Sequence, residues 1–182
     1  MKTALVLVDV QNDYFQGGKM QLVGMEEAAK KSQTLLTTFR ESGQPLFHIQ
    51  HIMADPNAPF FVEGSEGSQI HEIVKPDQSE RVIQKRNING FQETILLEEL
   101  RKAGAERLVI CGAMSHMCID ATTRAASDLG FECVVAHDAC ATKDLEFDGK
   151  TIPAAEVHGS FMSALDWGYA KVIPTSEASS DT

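Results

Sequence analysis

The chain has 182 residues, of which 43% are hydrophobic and 23% charged, as expected for a single globular domain with a sizeable core. Its 26 acidic residues outnumber its 16 basic residues and give a formal charge of −10, which argues against nucleic acid or an anionic membrane surface as a partner. The apolar run near the N-terminus is too short for a signal peptide or a membrane span, so we expect a cytoplasmic protein with reduced cysteines.

Apolar runs that suit buried strands alternate along the chain with segments of helical periodicity. In chain order, the pattern predicts a strand at 4–8, a helix at 25–40, strands at 46–52 and 81–85, a helix at 94–102, a strand at 108–111, a helix at 118–129, a strand at 131–136, a helix at 153–167 and a strand at 171–174. Residues 55–79 lack such patterns and predict a long surface loop, which in compact domains is usually functional.

The alternation of strands and helices predicts the fold class. Strands joined through helices form right-handed crossovers, which place the strands in a parallel sheet with helices on both faces. We therefore expect an α/β fold with a three-layer, doubly wound and mostly parallel sheet, formed by one domain over residues 1–175. The tail at residues 176–182, SEASSDT, is expected to be disordered.

Three chemically unusual side chains fall where predicted strands end. Asp9 ends the first strand, Lys85 ends the third, and Cys118 opens the helix after the fourth. In parallel α/β sheets the ligand lies outside the carboxyl ends of the strands, so we expect the three side chains to meet at one edge. A small buried apolar side chain is the commoner role for a cysteine, but this convergence favours a nucleophile.

The position of Cys118 suggests how it could react. A cysteine in the first turn of a helix lies near free backbone N–H groups and the positive end of the helix dipole, which we expect to lower its pKa and favour the thiolate. With Asp9 accepting the thiol proton and Lys85 holding both negative charges, the sulfur could attack a carbonyl carbon and form a thioester. Backbone N–H groups of Cys118 and of the turn at 113–117 are candidates to stabilise the oxyanion.

Four motifs occur in a fixed order along the chain: DVQND at 9–13, Lys85 followed six residues later by Phe91, GAMSHMC at 112–118 and DAC at 138–140. Together they resemble the isochorismatase-like cysteine hydrolases, a superfamily that includes N-carbamoylsarcosine amidohydrolase, nicotinamidase and streptothricin hydrolase. The resemblance spans residues 4–174.

The resemblance implies several properties of this chain. It implies a three-layer α/β fold and a catalytic triad of Asp9, Lys85 and Cys118. It also implies a cis peptide bond before Met114, which would turn the Met114 N–H toward the oxyanion beside that of Cys118. Members of the superfamily commonly form homodimers or larger homo-oligomers, and the same is expected here.

The sequence departs from the nicotinamidases at their metal site. Those enzymes hold a metal through an Asp-x-His pair and a further histidine after the second strand, whereas here the region reads HIQHIMADP. His48 and His51 are three residues apart on a strand and are expected to point to opposite faces. We therefore expect neither a metal nor another cofactor.

Six side chains are candidates to contact a substrate. The aromatic ones could form a wall for a planar molecule, although ordinary packing beneath loops is an equal alternative. The polar ones lie at strand ends and in the turns around the three predicted catalytic residues. The candidates are Phe15, His51, Phe61, Asn89, Phe91 and His116.

Three functions fit these observations. The leading one is hydrolysis of a C–N bond in a small carboxamide, carbamoyl or cyclic amide compound by a cysteine-dependent enzyme. The second is vinyl-ether hydrolysis of an isochorismate-like substrate, with Asp9 as the acid and no need of the thiol. The third is a catalytically idle homologue that binds a small molecule. A Cys–His pair formed with His116, His137 or His158 is less favoured, because the resemblance assigns the base to Asp9.

Overall fold

A computed structural model of the protein describes residues 1–179 and shows two sheets and five α-helices within them. The strands are β1 (Thr3–Val8), β2 (Leu46–His51), β3 (Arg81–Lys85), β4 (Arg107–Ala113), β5 (Glu132–Ala141), β6 (Leu145–Phe147), β7 (Lys150–Ile152) and β8 (Lys171–Ile173). The helices are α1 (Met25–Ser42), α2 (Leu96–Lys102), α3 (Asp120–Asp128), α4 (Ala154–Gly168) and α5 (Thr175–Ala178).

Six of the strands form one sheet in the order β3-β2-β1-β4-β5-β8, and every pairing in it is parallel. Alternate residues of β1 face opposite sides of this sheet. Leu5 and Leu7 pack in a core with α1 and α5, whereas Val6 and Val8 pack in a second core with α2, α3 and α4. The predicted three-layer, doubly wound α/β fold is therefore confirmed.

The strands β6 and β7 were not predicted, and β5 is longer than expected. The antiparallel hairpin of β6 and β7 follows β5 and precedes α4 in the chain. The polar residues His137 and Asp138 interrupt the apolar pattern of β5, yet the strand continues beyond them because Cys140 and Ala141 pair with the end of β4.

The prediction of a disordered tail from residue 176 is wrong for its first residues, because Thr175–Ala178 forms α5. Asp138 Oδ1 accepts hydrogen bonds from both the backbone N and the Oγ1 of Thr175, each at 2.7 Å. This tertiary cap, invisible in the local sequence, fixes the start of the helix. Residues 180–182 lie outside the described part of the chain. None of the helices within residues 1–179 combines the length and apolarity needed to cross a membrane.

The predicted loop at 55–79 contains two short 3₁₀ turns, Glu66–Ser68 and Glu72–Val74, and no longer element. It packs against the segment that follows β1: Asn12 N donates to Gln69 O at 3.0 Å, and His71 N donates to Val10 O at 2.9 Å. The loop therefore braces the carboxyl end of β1.

Gly112 lets two strands approach each other directly before Asp9. Its φ is +120°, and a Cβ at this position would overlap the carbonyl oxygen of Val8 in the neighbouring strand. The register of β4 against β5 also shifts between Ile110 and Gly112. A residue without a side chain is required here.

We expect Gly112→Ala to destabilise the protein by about 2–3 kcal/mol or more, because the new methyl group adds a steric overlap to an unfavourable φ. Gly159→Ala is the matched control, since a Cβ at this α4 position meets nothing within 4 Å. It should stabilise the protein by about 0.5–1 kcal/mol through helix propensity. Urea unfolding followed by circular dichroism measures both, and equal stabilities would contradict the packing described at Gly112.

His48 lies in a different ionic network from His51. Its Nε2 is 3.0 Å from Glu80 Oε2, and Arg40 Nε is 2.6 Å from Glu80 Oε1. Although burial acts to raise the pKa of Glu80, hydrogen bonds from Arg40, the backbone N of Asp77 and His48 outweigh it and lower the pKa from 4.5 to about 2. Because the folded state binds this proton less readily than the unfolded chain, Glu80 stabilises the fold above about pH 4.5 and loses that effect as the pH falls toward about 2.

We expect Glu80→Gln to cost about 1–2 kcal/mol at pH 7, since it weakens hydrogen bonds to a charged group. The difference from the wild type should shrink as the pH falls from 4.5 toward about 2. Unfolding free energies at several pH values test this, with Glu72→Gln as the control because the Glu72 side chain is 79% exposed. A difference that is constant with pH would contradict the assignment.

Candidate active site

Asp9, Lys85 and Cys118 meet at the carboxyl edge of the sheet, as the sequence predicts. Asp9 follows β1, Lys85 is the last residue of β3, and Cys118 lies in a π-helical turn, Ser115–Ile119, after β4. Lys85 Nζ is 2.9 Å from Asp9 Oδ2 and 3.2 Å from Cys118 Sγ. None of the three residues is more than 1% exposed.

The backbone holds Asp9 in an unusual conformation. Its φ is +53°, in the left-handed region that few residues other than glycine adopt. Asp9 N donates to Ile49 O at 3.0 Å, and Gln11 N donates to Asp9 O at 2.9 Å. The Asp9 carboxylate faces both the Lys85 ammonium and the Cys118 thiol, so a buried acceptor lies beside the thiol proton.

The turn that carries Cys118 begins with a cis peptide bond between Ala113 and Met114, which confirms the expectation from the resemblance. Met117 N and Ile119 N both donate to Met114 O, at 3.0 and 3.2 Å. The second bond closes the wider ring of a π turn, and the turn continues directly into α3.

Ser115 anchors this turn to the rest of the protein. Its Oγ is 3.3 Å from Ala141 O at the end of β5 and 2.8 Å from His158 Nδ1 on α4. The position of Cys118 is thus tied to both neighbouring elements.

Lys85 Nζ lies at the centre of the buried cluster. Besides Asp9 Oδ2 and Cys118 Sγ, it is 3.1 Å from His51 Nδ1 and 3.0 Å from Asn87 O. Burial acts to lower the pKa of Lys85, but the Asp9 carboxylate and Cys118 outweigh it and raise the pKa above its ordinary value. Lys85 is therefore an ammonium ion at neutral pH.

The expected lowering of the Cys118 pKa is wrong. Burial raises the pKa of the thiol and the Asp9 carboxylate raises it further, while Lys85 only partly opposes them. The helix-dipole argument fails because the sulfur is withdrawn from water and faces a carboxylate. The resting site therefore holds a protonated thiol, a carboxylate and an ammonium.

The cluster contains donor atoms that a metal ion could use. A carboxylate oxygen of Asp9, a ring nitrogen of His51 and Cys118 Sγ all lie within 4.8 Å of one another. However, Lys85 Nζ contacts all three residues at 2.9–3.2 Å. Since an ammonium already occupies the centre of this donor set, the residues do not fit a divalent cation.

Comparison with known proteins identifies the family. The model of the isochorismatase domain matches residues 3–169, which is most of the chain. The protein belongs to the isochorismatase family. The family protein YddQ of Bacillus subtilis is 49% identical over 175 residues, which cover 96% of this chain and 97% of that protein.

Two further relatives are informative. A crystal structure of an isochorismatase hydrolase from Oleispira antarctica has a TM-score of 0.95 and 52% identity, and the match covers 98% of this chain and 96% of that one. Streptothricin hydrolase of Streptomyces noursei is 35% identical over 160 residues, which cover 84% of this chain and 55% of that protein.

Of the six side chains predicted to contact substrate, His51 lies in the cluster itself. Phe61 is fully buried, with its ring centroid 6.1 Å from that of His51 and 4.6 Å from that of Tyr14. Phe15 instead stacks on His71, with ring centroids 3.7 Å apart. The structure therefore brings His51 and Phe61 close to each other but places Phe15 elsewhere.

The other three candidates have structural partners of their own. Asn89 Oδ1 accepts a hydrogen bond from Phe91 N at 2.9 Å. The Phe91 ring packs against Phe131, with centroids 6.3 Å apart. His116 Nδ1 is 2.6 Å from Thr142 Oγ1. A role for these three in substrate binding stays a prediction.

Sequence reasoning missed Gln11, which is fully buried beside the cluster. Its Oε1 accepts a hydrogen bond from His51 N at 2.8 Å, and its Nε2 donates to His51 O at 2.9 Å and to Ser68 O at 2.9 Å. One amide therefore joins the end of β2 to the loop at 55–79. In the sequence, Gln11 could have been recognised as an amide side chain two residues after Asp9.

A cavity of about 960 Å³ lies away from this cluster. It opens between the segment after β1 and the loop at 55–79, and its lining includes Phe15, Gln50 and His71 but none of Asp9, Lys85 and Cys118. Because none of the three clustered residues lines this cavity, we do not assign the reaction to it.

We expect opposite effects on the Cys118 thiol from the two charged neighbours. Asp9→Asn removes a charge that raises the pKa of Cys118, so labelling by iodoacetamide at pH 7 should speed up by about tenfold or more, since one pKa unit changes the thiolate fraction tenfold. Lys85→Met removes the opposing charge and should slow the labelling. Mass spectrometry of the labelled peptide measures both rates.

Cys133 provides the internal control for this experiment, because it is buried in the core outside the cluster. Its labelling should stay slow in both variants if the fold is intact. Slower labelling of Cys118 in Asp9→Asn would contradict the arrangement of charges.

Proposed function

We propose that the protein is a cysteine-dependent hydrolase that cleaves a C–N bond of a small amide, carbamoyl or cyclic amide compound through a thioester. The observation that carries the proposal is the ammonium of Lys85, which bridges the Asp9 carboxylate and the Cys118 sulfur at 2.9 and 3.2 Å in a buried site. A nucleophile, a base and a fixed positive charge are the parts that acyl transfer to a thiol requires.

The resting proton arrangement suits the first half of the reaction. Cys118 Sγ attacks the carbonyl carbon while its proton passes to the Asp9 carboxylate. Lys85 stabilises the negative charge that develops on sulfur during this transfer. Asp9 then gives the proton to the leaving nitrogen, the C–N bond breaks, and ammonia or an amine departs from a thioester on Cys118.

The Asp9 carboxylate also acts as the base in the second half of the reaction, the hydrolysis of the thioester. Asp9 accepts a proton from a water molecule, and the resulting hydroxide attacks the thioester carbon. When the intermediate collapses, the C–S bond breaks and the proton on Asp9 returns to the Cys118 sulfur. The acid product leaves, and the site regains its thiol, carboxylate and ammonium.

The oxyanion is assigned to two backbone N–H groups. Met117 N and Ile119 N are already bonded to Met114 O, so they are not free to bind a substrate oxygen. The proposal therefore keeps the N–H groups of Met114 and Cys118 as the pair that stabilises the negative oxygen.

The character of the site favours a small and uncharged reacting group. The charges of Asp9 and Lys85 balance, and the burial of the cluster would make a further charge costly. The relative named streptothricin hydrolase supports hydrolysis as the reaction class.

We expect Cys118→Ala to reduce hydrolysis by about 10⁴-fold or more, since the remaining groups lack a nucleophile. Ammonia release from small carboxamides and carbamoyl compounds, and ring opening of cyclic amides followed by mass spectrometry, measure the reaction. Cys133→Ala is the matched control and should keep the wild-type rate. Intact-mass spectrometry of the wild type during turnover should show an acyl group on Cys118.

Other outcomes of this experiment would identify the alternatives. Full activity in Cys118→Ala, together with loss in Asp9→Asn and turnover of a vinyl ether, would indicate acid catalysis by the aspartate. A wild-type protein that binds these compounds without acylation or turnover would indicate an idle binding homologue.

A further inference from the structure

His51 contacts the proposed catalytic groups directly, yet the proposed reaction does not use it. It is the last residue of β2 and pairs in register with Lys85 of β3. Its side chain is 4% exposed, and its Nδ1 is 3.1 Å from Lys85 Nζ and 3.9 Å from Asp9 Oδ2.

The chemistry of Lys85 decides which ring nitrogen of His51 carries a proton. A lysine ammonium has three protons to donate and no lone pair with which to accept. At 3.1 Å from Nζ, His51 Nδ1 must therefore present its lone pair. The imidazole is then neutral, with its proton on Nε2.

Hydrogen bonds from Gln11 also hold the backbone of His51. Gln11 binds both the N and the O of His51 through its side-chain amide, at 2.8 and 2.9 Å. Gln11 follows Asp9 by two residues, so the same short segment fixes the carboxylate and the histidine. The backbone that carries the His51 ring is thus held by the segment that carries Asp9.

The contacts of Lys85 show what His51 contributes. Four acceptors surround an ammonium with three protons: Asp9 Oδ2, His51 Nδ1, Asn87 O and Cys118 Sγ. His51 and Asn87 orient the ammonium so that its remaining proton lies between the carboxylate and the sulfur. Without the acceptor at Nδ1, the ammonium is free to rotate away from Cys118.

We propose that His51 is a positioning residue that, as a neutral acceptor at Nδ1, aims the Lys85 ammonium at Asp9 and Cys118, and that protonation of His51 switches the site off. This inference rests on the proposed thioester chemistry, because it assigns a task to Lys85 within it. A protonated ring would direct a second N–H at the ammonium and destroy the hydrogen bond.

The surroundings of His51 determine the pH at which this occurs. The ionisable groups that face it are Asp9 after β1, Lys85 on β3 and Cys118 in the π turn, while Phe61 presents an uncharged ring. Burial lowers the pKa of His51, Lys85 lowers it further, and Asp9 only partly opposes them. The ring is therefore neutral at pH 7 and gains a proton only below the ordinary value of 6.5.

The first test observes the ring itself. Proton–nitrogen correlation spectra of the histidine rings should show the Nε2–H tautomer for His51 and a pKa below 6.5. His51→Asn identifies its signals. A proton on Nδ1 at pH 7, or a pKa of 6.5 or above, would overturn the proposal.

The second test measures acylation of Cys118 by p-nitrophenyl acetate, followed by intact-mass spectrometry from pH 5 to 8. We expect His51→Leu to slow acylation at pH 7 by about tenfold, the usual effect of losing one hydrogen bond to a charged group. His51→Asn places an oxygen near the Nδ1 position and should restore most of the rate. The wild-type acylation rate should decrease at acidic pH, with the same pKa that the spectra give for the His51 ring. This decrease should be absent in His51→Asn.

His48→Asn is the matched control, since His48 is a buried histidine on the same strand whose ring pairs with Glu80 outside the cluster. This variant should show the wild-type acylation rate at pH 7 and the same decrease in rate at acidic pH. Equal rates in His51→Leu and the wild type would overturn the proposal even if amides are hydrolysed. Acylation that depends on His51 without hydrolysis of any amide would instead contradict the proposed function and leave this inference standing.

Discussion

The buried ion pair between Lys85 and Asp9 is the interaction on which the active site depends. Their atoms approach to 2.9 Å in a region where neither side chain is exposed. Because an unpaired charge there would be strongly destabilising, each residue balances the charge of the other. Burial raises the pKa of Cys118, and the carboxylate raises it further by more than the ammonium lowers it. A thiol is thus stored next to the base that is proposed to remove its proton.

The sheet supplies the precision that this pair needs. Asp9 directly follows β1, and His51 and Lys85 end the neighbouring strands β2 and β3, so the parallel register brings the three side chains together. The fourth contributor, Cys118, enters through a π turn after β4, where Gly112 lets the backbones of β4 and β1 approach closely. Such a site is held by strand ends and is therefore less mobile than one carried on loops.

Much of this arrangement follows from the sequence, because buried parallel strands are continuous apolar runs and their ends are easily located. Asp9 and Lys85 could be predicted for that reason, and Cys118 from the helix that follows β4. The raised pKa of Cys118 could not be predicted, because burial and the facing carboxylate result from tertiary structure and outweigh the helix dipole. The roles of Gln11 and His51, and the cap that Asp138 gives to α5, likewise depend on contacts between distant segments.

In the proposed resting site, Cys118 holds its proton beside the Asp9 carboxylate and the Lys85 ammonium. Infrared difference spectroscopy of the wild type against Cys118→Ala at pH 7 tests this most directly, because the S–H stretch of a buried thiol lies in a clear spectral window. We expect an S–H band for the wild type that persists to alkaline pH and is absent in the variant. A missing band at pH 7, together with thiolate absorbance in the ultraviolet, would contradict this proton arrangement.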